Sequence, residues 1–368
     1  PIRIGFISSY TGPVAGSTLD MSDAFKLALK TLDNKMAGRP VVASYGDDQS
    51  KPQIARQLAE QMLTSDKVQI FTGENLSSTL LGLIRPILDG GAFYVSANAG
   101  PSQIAGKGCH PHFFSVSHQN DQLYEGVGYL VEEEKVPTVY LLASNYPAGR
   151  DMLAGFKRHY TGKVVGESYT PLDQVDYAGV IADIRAKNPA GMMIFLPGND
   201  GINFVKQFNA SGLKDKITIY TGAGVTDMSS IPAIGEAALG MQGAVNWNHD
   251  LDIAASKKFV AAFEKEYGRI PSTFAAVTYD TVMAINAAVS AVGGKIEDKK
   301  AFQKALETVQ WDSVRGKVTI NTNHFPKQDM WKVTVVKDDK GRIVTKSSVK
   351  VVEQLADSFA AECHMASD

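Results

Sequence analysis

The chain has 368 residues, and 37 Lys+Arg against 39 Asp+Glu leave a formal charge of -2. At roughly 100–200 residues per domain that length gives two or three domains, each able to bury a normal core, and the 44% hydrophobic and 21% charged shares are those of a soluble globular protein. Near-neutral balance argues against a nucleic-acid protein, and no apolar run reaches the roughly 18 residues of a membrane span: the longest, 274–292, is interrupted by Thr278, Asp280, Asn286 and Ser290.

From the N-terminus, 2–8 reads as a largely apolar strand ending in the turn signal Ser9-Tyr10-Thr11-Gly12-Pro13. Apolar residues at Met21, Ala24, Phe25, Ala28, Leu29 and Leu32 recur at helical spacing and predict a helix over 20–36. Strands follow over 41–45, 68–72 and 93–96, and helices over 52–63 and 77–88. Such alternation implies parallel βαβ units with helices on both faces of a sheet.

The series then begins again. Strands are expected over 138–143, 164–169, 192–196 and 217–221, and helices over 151–160, 177–187 and 201–210. Ile7-Ser8-Ser9-Tyr10 parallels Leu142-Ala143-Ser144-Asn145-Tyr146, and 69–75 parallels 193–199. We read two similar α/β lobes from an old duplication. Beyond them come helices over 251–267, 272–292 and 298–309, then strands over 316–321, 330–337 and 344–352 with a charged turn at Asp338-Asp339-Lys340-Gly341. These pieces are expected to fold back onto the two lobes, so that the chain crosses between lobes more than once.

Cys109 and Cys363 are too few for a disulfide scaffold or a four-cysteine zinc site. Spacing alone leaves one bridge and two buried thiols equally open. The first residues read as a strand rather than a signal peptide, which fits a cytoplasmic protein or a processed end.

Catalytic signatures are not evident. The chain shows no Walker A loop, GxSxG elbow, HExxH pair or GxGxxG after a strand. Gly222-Ala223-Gly224 reads as a turn. His110, His112 and His118 read as surface or hinge-packing histidines, since a metal needs further ligands and an outer shell. Glu132-Glu133-Glu134-Lys135 reads as a solvated helix end.

Ligands of doubly wound sheets bind beyond the carboxyl ends of the strands. Here those ends fall at 8–13, 72–79, 96–102, 144–149, 196–201 and 221–227, and they are rich in Ser, Thr, Gly, Asn and Tyr without an acid-base pair. That composition holds a ligand rather than transforming it. Gly73-Glu74-Asn75-Leu76-Ser77-Ser78-Thr79 follows a strand and opens a helix, where free N–H groups and the helix dipole favour an anion. Ser77 or Ser78 adds a hydroxyl; an ordinary N-cap is the plainer reading. Tyr10, Tyr146 and Tyr279 are expected at the cleft, offering flat apolar faces with a polar tip.

The ordered motifs 4–15, 45–52, 73–79, 95–99 and 278–280 resemble the type I periplasmic solute-binding proteins of ABC importers, specifically the branched-chain amino-acid (Leu/Ile/Val) binding family. The resemblance covers essentially the whole chain. It implies two Rossmann-like lobes with doubly wound sheets, joined by a three-strand hinge: residues 1–120 with 250–328, and 121–249 with 329–362, followed by a tail at 363–368. It implies a monomeric, mature periplasmic protein that delivers a small molecule to membrane permease subunits, without catalysis, cofactor, metal or nucleic acid. In that compartment Cys109 and Cys363 would be bridged.

The family's carboxylate-holding serine falls at Ser77 or Ser78, its loop against the ligand's α-carbon groups at Asn98-Ala99-Gly100, and its second-lobe tyrosine at Tyr146. The acid that pairs with an α-ammonium would fall within 221–224, where this chain has Ala223, and Gly100 replaces an expected threonine. A buried ammonium without a carboxylate is unfavourable by several kcal/mol. That departure points to a carboxylate without an ammonium; relatives in the family that lack the acid resemble binders of aromatic carboxylates, so the resemblance implies an aromatic acid such as a benzoate derivative, held among Tyr10, Tyr146, Phe195 and Tyr279. Asn98, Asn145, Asn199 or Asp200 would receive a ring hydroxyl. The alternative is a branched-chain or aromatic amino acid whose ammonium meets Glu74, Asp200 or Asp227.

Overall fold

The structure is a computed structural model that describes residues 1–365. The tail expected at 363–368 lies outside the described residues from 366 onward. The first half runs β1 (Ile2–Ser8), α1 (Ala15–Thr31), β2 (Lys35–Met36), β3 (Arg39–Asp47), α2 (Pro52–Thr64), β4 (Ile70–Thr72), α3 (Ser77–Asp89), β5 (Phe93–Ser96) and β6 (Phe113–Ser115). The second runs α4 (Asn120–Glu133), β7 (Thr138–Ser144), α5 (Pro147–His159), β8 (Lys163–Thr170), α6 (Ala178–Lys187), β9 (Gly191–Phe195), α7 (Asn199–Ala210), β10 (Thr218–Thr221), α8 (Ile231–Ile234) and β11 (Gln242–Val245). Then come α9 (Ala254–Tyr267), α10 (Thr273–Ala291), α11 (Lys299–Glu307), β12 (Thr319–Ile320), β13 (Pro326–Lys337) and β14 (Ile343–Leu355).

Two sheets carry the fold. In the first, β3-β1-β4-β5-β6 are parallel, with β2 added as an antiparallel hairpin. In the second, β8-β7-β9-β10-β11 are parallel, and β13 adds antiparallel to β11. The spatial order of the parallel strands is the same in both, which accounts for the repeated sequence pattern. Each sheet reverses its winding beside its first strand, between β1 and β4 and between β7 and β9. That is where a doubly wound sheet opens a crevice.

Both faces of each sheet are covered. Helices α1, α10 and α11 pack on one face of the first sheet, α2 and α3 on the other. The second sheet lies between α4 and α5 on one side and α6, α7 and α8 on the other. By length and composition α10 could cross a membrane, yet it is a core helix, with Val282, Ile285, Ala288 and Val289 buried against the first sheet.

Two element ends escape periodicity. Helix α4 keeps an apolar stripe at Leu123, Val127, Leu130 and Val131, but its buried start, with Asn120, Asp121, Gln122 and Glu125, is polar, so apolar spacing does not mark where it begins. Helix α1 ends at Thr31, short of 36, because Asp33 and Asn34 take left-handed conformations and turn the chain into the β2–β3 hairpin.

The chain passes between lobes near Ser117, Asn246 and Gln328. Their side chains and carbonyls are tied together: Asn246 Nδ2 donates to Ser117 O at 3.2 Å and to Gln328 Oε1 at 3.1 Å, and Gln328 Nε2 donates to Ser117 O at 2.9 Å. Arg315, fully buried, sends its guanidinium to Val116 O, Ser117 O and Gln328 Oε1 and is neutralised by Asp280. Cys109 and Cys363 are disulfide-bonded with Cα atoms 5.7 Å apart, fastening the C-terminal segment to the loop before β6.

Candidate ligand-binding cleft

A small cavity of about 40 Å³ lies between the lobes. Its walls come from the loops at both winding reversals: Val14, Asn75 and Ser77 from the first lobe, Tyr146, Pro197 and Gly198 from the second.

One wall is polar. Helix α3 begins at Ser77 behind Leu76, whose side chain gives no cap. The backbone N–H groups of Ser77, Ser78 and Thr79 have no acceptor in the protein among the described residues. A thirteen-residue helix thus presents uncapped donors and the positive end of its dipole beside the cavity. Asn120 Nδ2 donates to Ser77 Oγ at 2.9 Å, which leaves the serine's own proton for another acceptor. Asn75 Nδ2 is held by Ser17 Oγ and Thr18 Oγ1, and Asn98 Nδ2 by Asn75 O at 2.8 Å. The Asn98 Oδ1 acceptor has no protein partner among the described residues.

The opposite wall is apolar and aromatic. Tyr146 and Phe195 stack with centroids 6.0 Å apart and planes 22° from parallel. Leu123, Met152 and Phe274 close the slot. Burial holds the Tyr146 hydroxyl well above its ordinary pKa, so it is a neutral donor and acceptor. His118 also lines the cavity; burial, then the Arg315 charge, lowers its pKa to about 3, so the imidazole is neutral.

No Asp, Glu, Lys or Arg lines this cavity. The three acids an amino-acid ammonium would need lie elsewhere. Glu74 is fully buried, with Oε2 accepting from Thr79 Oγ1 at 2.5 Å. Asp200 accepts from Ser144 Oγ at 2.9 Å, and burial raises its pKa to about 6. Asp227 accepts from the N–H groups of Ser229 and Thr273.

Of the sequence candidates, Ser77, Asn98, Ala99, Tyr146, Phe195 and Ala223 line the cavity. Tyr10 does not: it packs edge-on to Phe6 and donates its hydroxyl to Ser22 Oγ at 2.9 Å. Tyr279 lies against Phe259, behind α10's cavity-facing start. Ser78 is half-buried on α3, off the cavity. Asn199 is exposed; its N–H donates to Pro13 O at 2.9 Å, bridging the two lobes at the rim. Gly100 sits behind the wall, where a Cβ would stand 2.2 Å from His118 O, so the threonine expected there has no room.

Residues missed in the sequence are Ser17, Asn75, Asn120 and Phe274, together with His118, which had been read only as packing. Asn75 was legible, lying inside the loop singled out before α3. Asn120 was not, because the buried first turn of its helix is polar.

Matching lobes, three crossings and an uncharged cavity shared between the winding reversals define a two-lobed solute-binding protein. The chain belongs to the periplasmic binding protein family, whose model matches residues 1–341. It is 26% identical over 358 residues to Leu/Ile/Val-binding protein homolog 6 of Brucella melitensis, covering 94% of this chain and 90% of that one. Its fold matches an ABC-transporter solute-binding protein from R. palustris in complex with benzoate, with TM-score 0.92 and 25% identity over 98% of this chain and 99% of that one. A solute-binding protein from Rhodopseudomonas palustris BisB5 in complex with 3,4-dihydroxy benzoic acid aligns with TM-score 0.91 and 28% identity, over 97% and 98% of the two chains. Members of the family are extracytoplasmic, non-enzymatic capture components of transporters.

Proposed function

We propose that this protein captures an aromatic carboxylate, a benzoate or hydroxybenzoate, in the cleft between its lobes, and presents it to an ABC permease. The observation that carries the reading is the wall chemistry: free donors at the start of α3 for one anion, a stacked aromatic slot for a flat body, and no carboxylate for an ammonium. The carboxylate would accept from the Ser77 hydroxyl and the N–H groups of Ser77–Thr79, and the ring would lie against Tyr146 and Phe195. Tyr146 OH, Asn98 Oδ1 and neutral His118 are available to ring hydroxyls. The solved relatives that hold benzoate and 3,4-dihydroxy benzoic acid support the same ligand class.

Lobes made of 1–120 with 250–328 and of 121–249 with 329–362 fit the packing of α10 and α11 on the first sheet and of β13 on the second. We take the working form to be a periplasmic monomer. Calorimetric titration with benzoate, 4-hydroxybenzoate, 3,4-dihydroxybenzoate, leucine and phenylalanine tests the reading. Binding of the aromatic acids with no heat from the amino acids is expected. Tight leucine binding with silent benzoates would overturn it.

A further inference from the structure

Asp151 stands on α5, in the second lobe, but its carboxylate serves the first. Oδ1 accepts from the Ser102 hydroxyl at 2.6 Å and Oδ2 from the Ser102 N–H at 2.9 Å. Ser102 opens a short helical turn, Ser102–Ile104, whose Ile104 is buried with the first sheet. The other neighbours of Asp151 belong to its own lobe: Arg158 is the nearby cation, paired with Asp121 and Glu125.

Asn120 joins this contact to the cavity. It starts α4, just beyond the first crossing. Its Nδ2 donates to Asp151 Oδ2 at 3.1 Å and to Ser77 Oγ at 2.9 Å, while its Oδ1 accepts from Gly100 N–H at 3.2 Å. An unbroken series of hydrogen bonds therefore runs from Ser77 at the cavity, through Asn120, to Asp151 and across to Ser102.

We propose that Asp151 is the positioning residue that converts occupancy of the Ser77 site into closure of the lobes. The clamp follows from the geometry above; its dependence on ligand rests on the reading of the cavity just given. An anion that accepts the Ser77 proton makes Oγ a better acceptor for Asn120, because hydrogen bonds in series polarise one another. That fixes the amide in the orientation that also serves Asp151. Charge-assisted bonds of this kind are short-ranged and strong. They form only when the lobes meet, so they act on escape of the ligand more than on its entry.

The described residues hold no free cysteine, so spin labels can be placed cleanly on L19C in the first lobe and V175C in the second, at positions 51% and 72% exposed. Interlobe distances are measured for wild type, Asp151→Asn, Ser102→Ala and Asn120→Ala, with and without 4-hydroxybenzoate. Stopped-flow release of the same compound gives the rates; benzoate or leucine replaces it if 4-hydroxybenzoate does not bind. Asp151→Asn and Ser102→Ala should each widen the distance distribution and speed release at least tenfold, with association changed less than threefold. Asn120→Ala should uncouple ligand from closure. Ser102→Ala leaves α5 intact and carries the test should Asp151→Asn fold poorly. Unchanged distances and release in both clamp variants overturn the proposal, as does an effect of Asp151→Asn that Ser102→Ala does not share. If none of the three compounds binds, the ligand reading fails, and the ligand-free distances still decide the clamp.

Discussion

Arg315 Nε donates to Asp280 Oδ2 at 2.8 Å, with neither side chain more than 1% exposed. The same carboxylate accepts from Trp311 Nε1, Ser313 Oγ and Val314 N–H. Asp280 thus holds, from core helix α10, the guanidinium that grips the first and third crossings between lobes. Removing one member of a buried pair leaves the other charge uncompensated and typically costs about 3–5 kcal/mol. Asp280→Ala should lose stability on that scale, measured by thermal and urea unfolding. A loss below about 1 kcal/mol, the range of exposed pairs, would show that the pair does not brace the hinge.

The adjacent serines of α3 should separate cleanly. Ser77 lines the cavity and Ser78 does not. A hydrogen bond to a charged group is worth about 1.5–3 kcal/mol, or roughly 10- to 150-fold in affinity. Ser77→Ala should weaken 4-hydroxybenzoate binding by that factor in calorimetric titration, and Ser78→Ala by less than threefold. The reverse order would relocate the anion.

Glu74 should make stability depend on pH. Burial, then Asp48 beside it, pushes its pKa well above 4.5. Among the described residues Glu74 Oε1 has no hydrogen-bond partner to hold it as an anion, and the neighbouring Asp48 carboxyl favours the protonated form of Glu74. The folded protein keeps a proton that the unfolded chain releases near pH 4.5. Above that pH the folded state binds more protons, so stability falls as pH rises toward the folded value. Glu74→Gln keeps a donor toward Asp48 without the titration. Its Tm minus that of the wild type should grow between pH 5 and pH 8; a constant difference would show that Glu74 keeps no proton in the folded state.

The disulfide closes a sequence separation of 254 residues. A long closed loop restricts the unfolded chain, and its loss costs roughly 3–5 kcal/mol. Reduction under native conditions should shift the urea midpoint downward by a matching amount. Superimposable unfolding curves, or two titratable thiols before reduction, would refute the bond's contribution.

Much of this was written in the residues. Strand β1 and the start of α3 fall where the apolar run and the Gly73–Thr79 pattern put them, because there the periodicity and the turn residues agree. The cavity's Ser77, Asn98, Tyr146 and Ala223 were found through their places after strands. Tyr10 and Tyr279 lie off the cavity for one reason: an amphipathic ring beside a cleft can turn either way, and both turn into the first-lobe core. The motif Thr278-Tyr279-Asp280 was noticed for its tyrosine, while the structural part falls to Asp280. Asn120 was hidden because the first turn of α4 buries polar side chains, and apolar spacing, which begins only at Leu123, does not mark a helix start that makes hydrogen bonds.

The first sheet takes the helices on one of its faces from distant parts of the chain. Residues 2–116 supply its strands, yet Val282, Ile285, Val289 and Phe302 complete the layer on one side. While the ribosome is still spelling out the intervening lobe, α1 is the one helix of the three on that face that has already been made. The nascent half-molecule is therefore an incomplete body, with part of that face uncovered until α10 and α11 emerge.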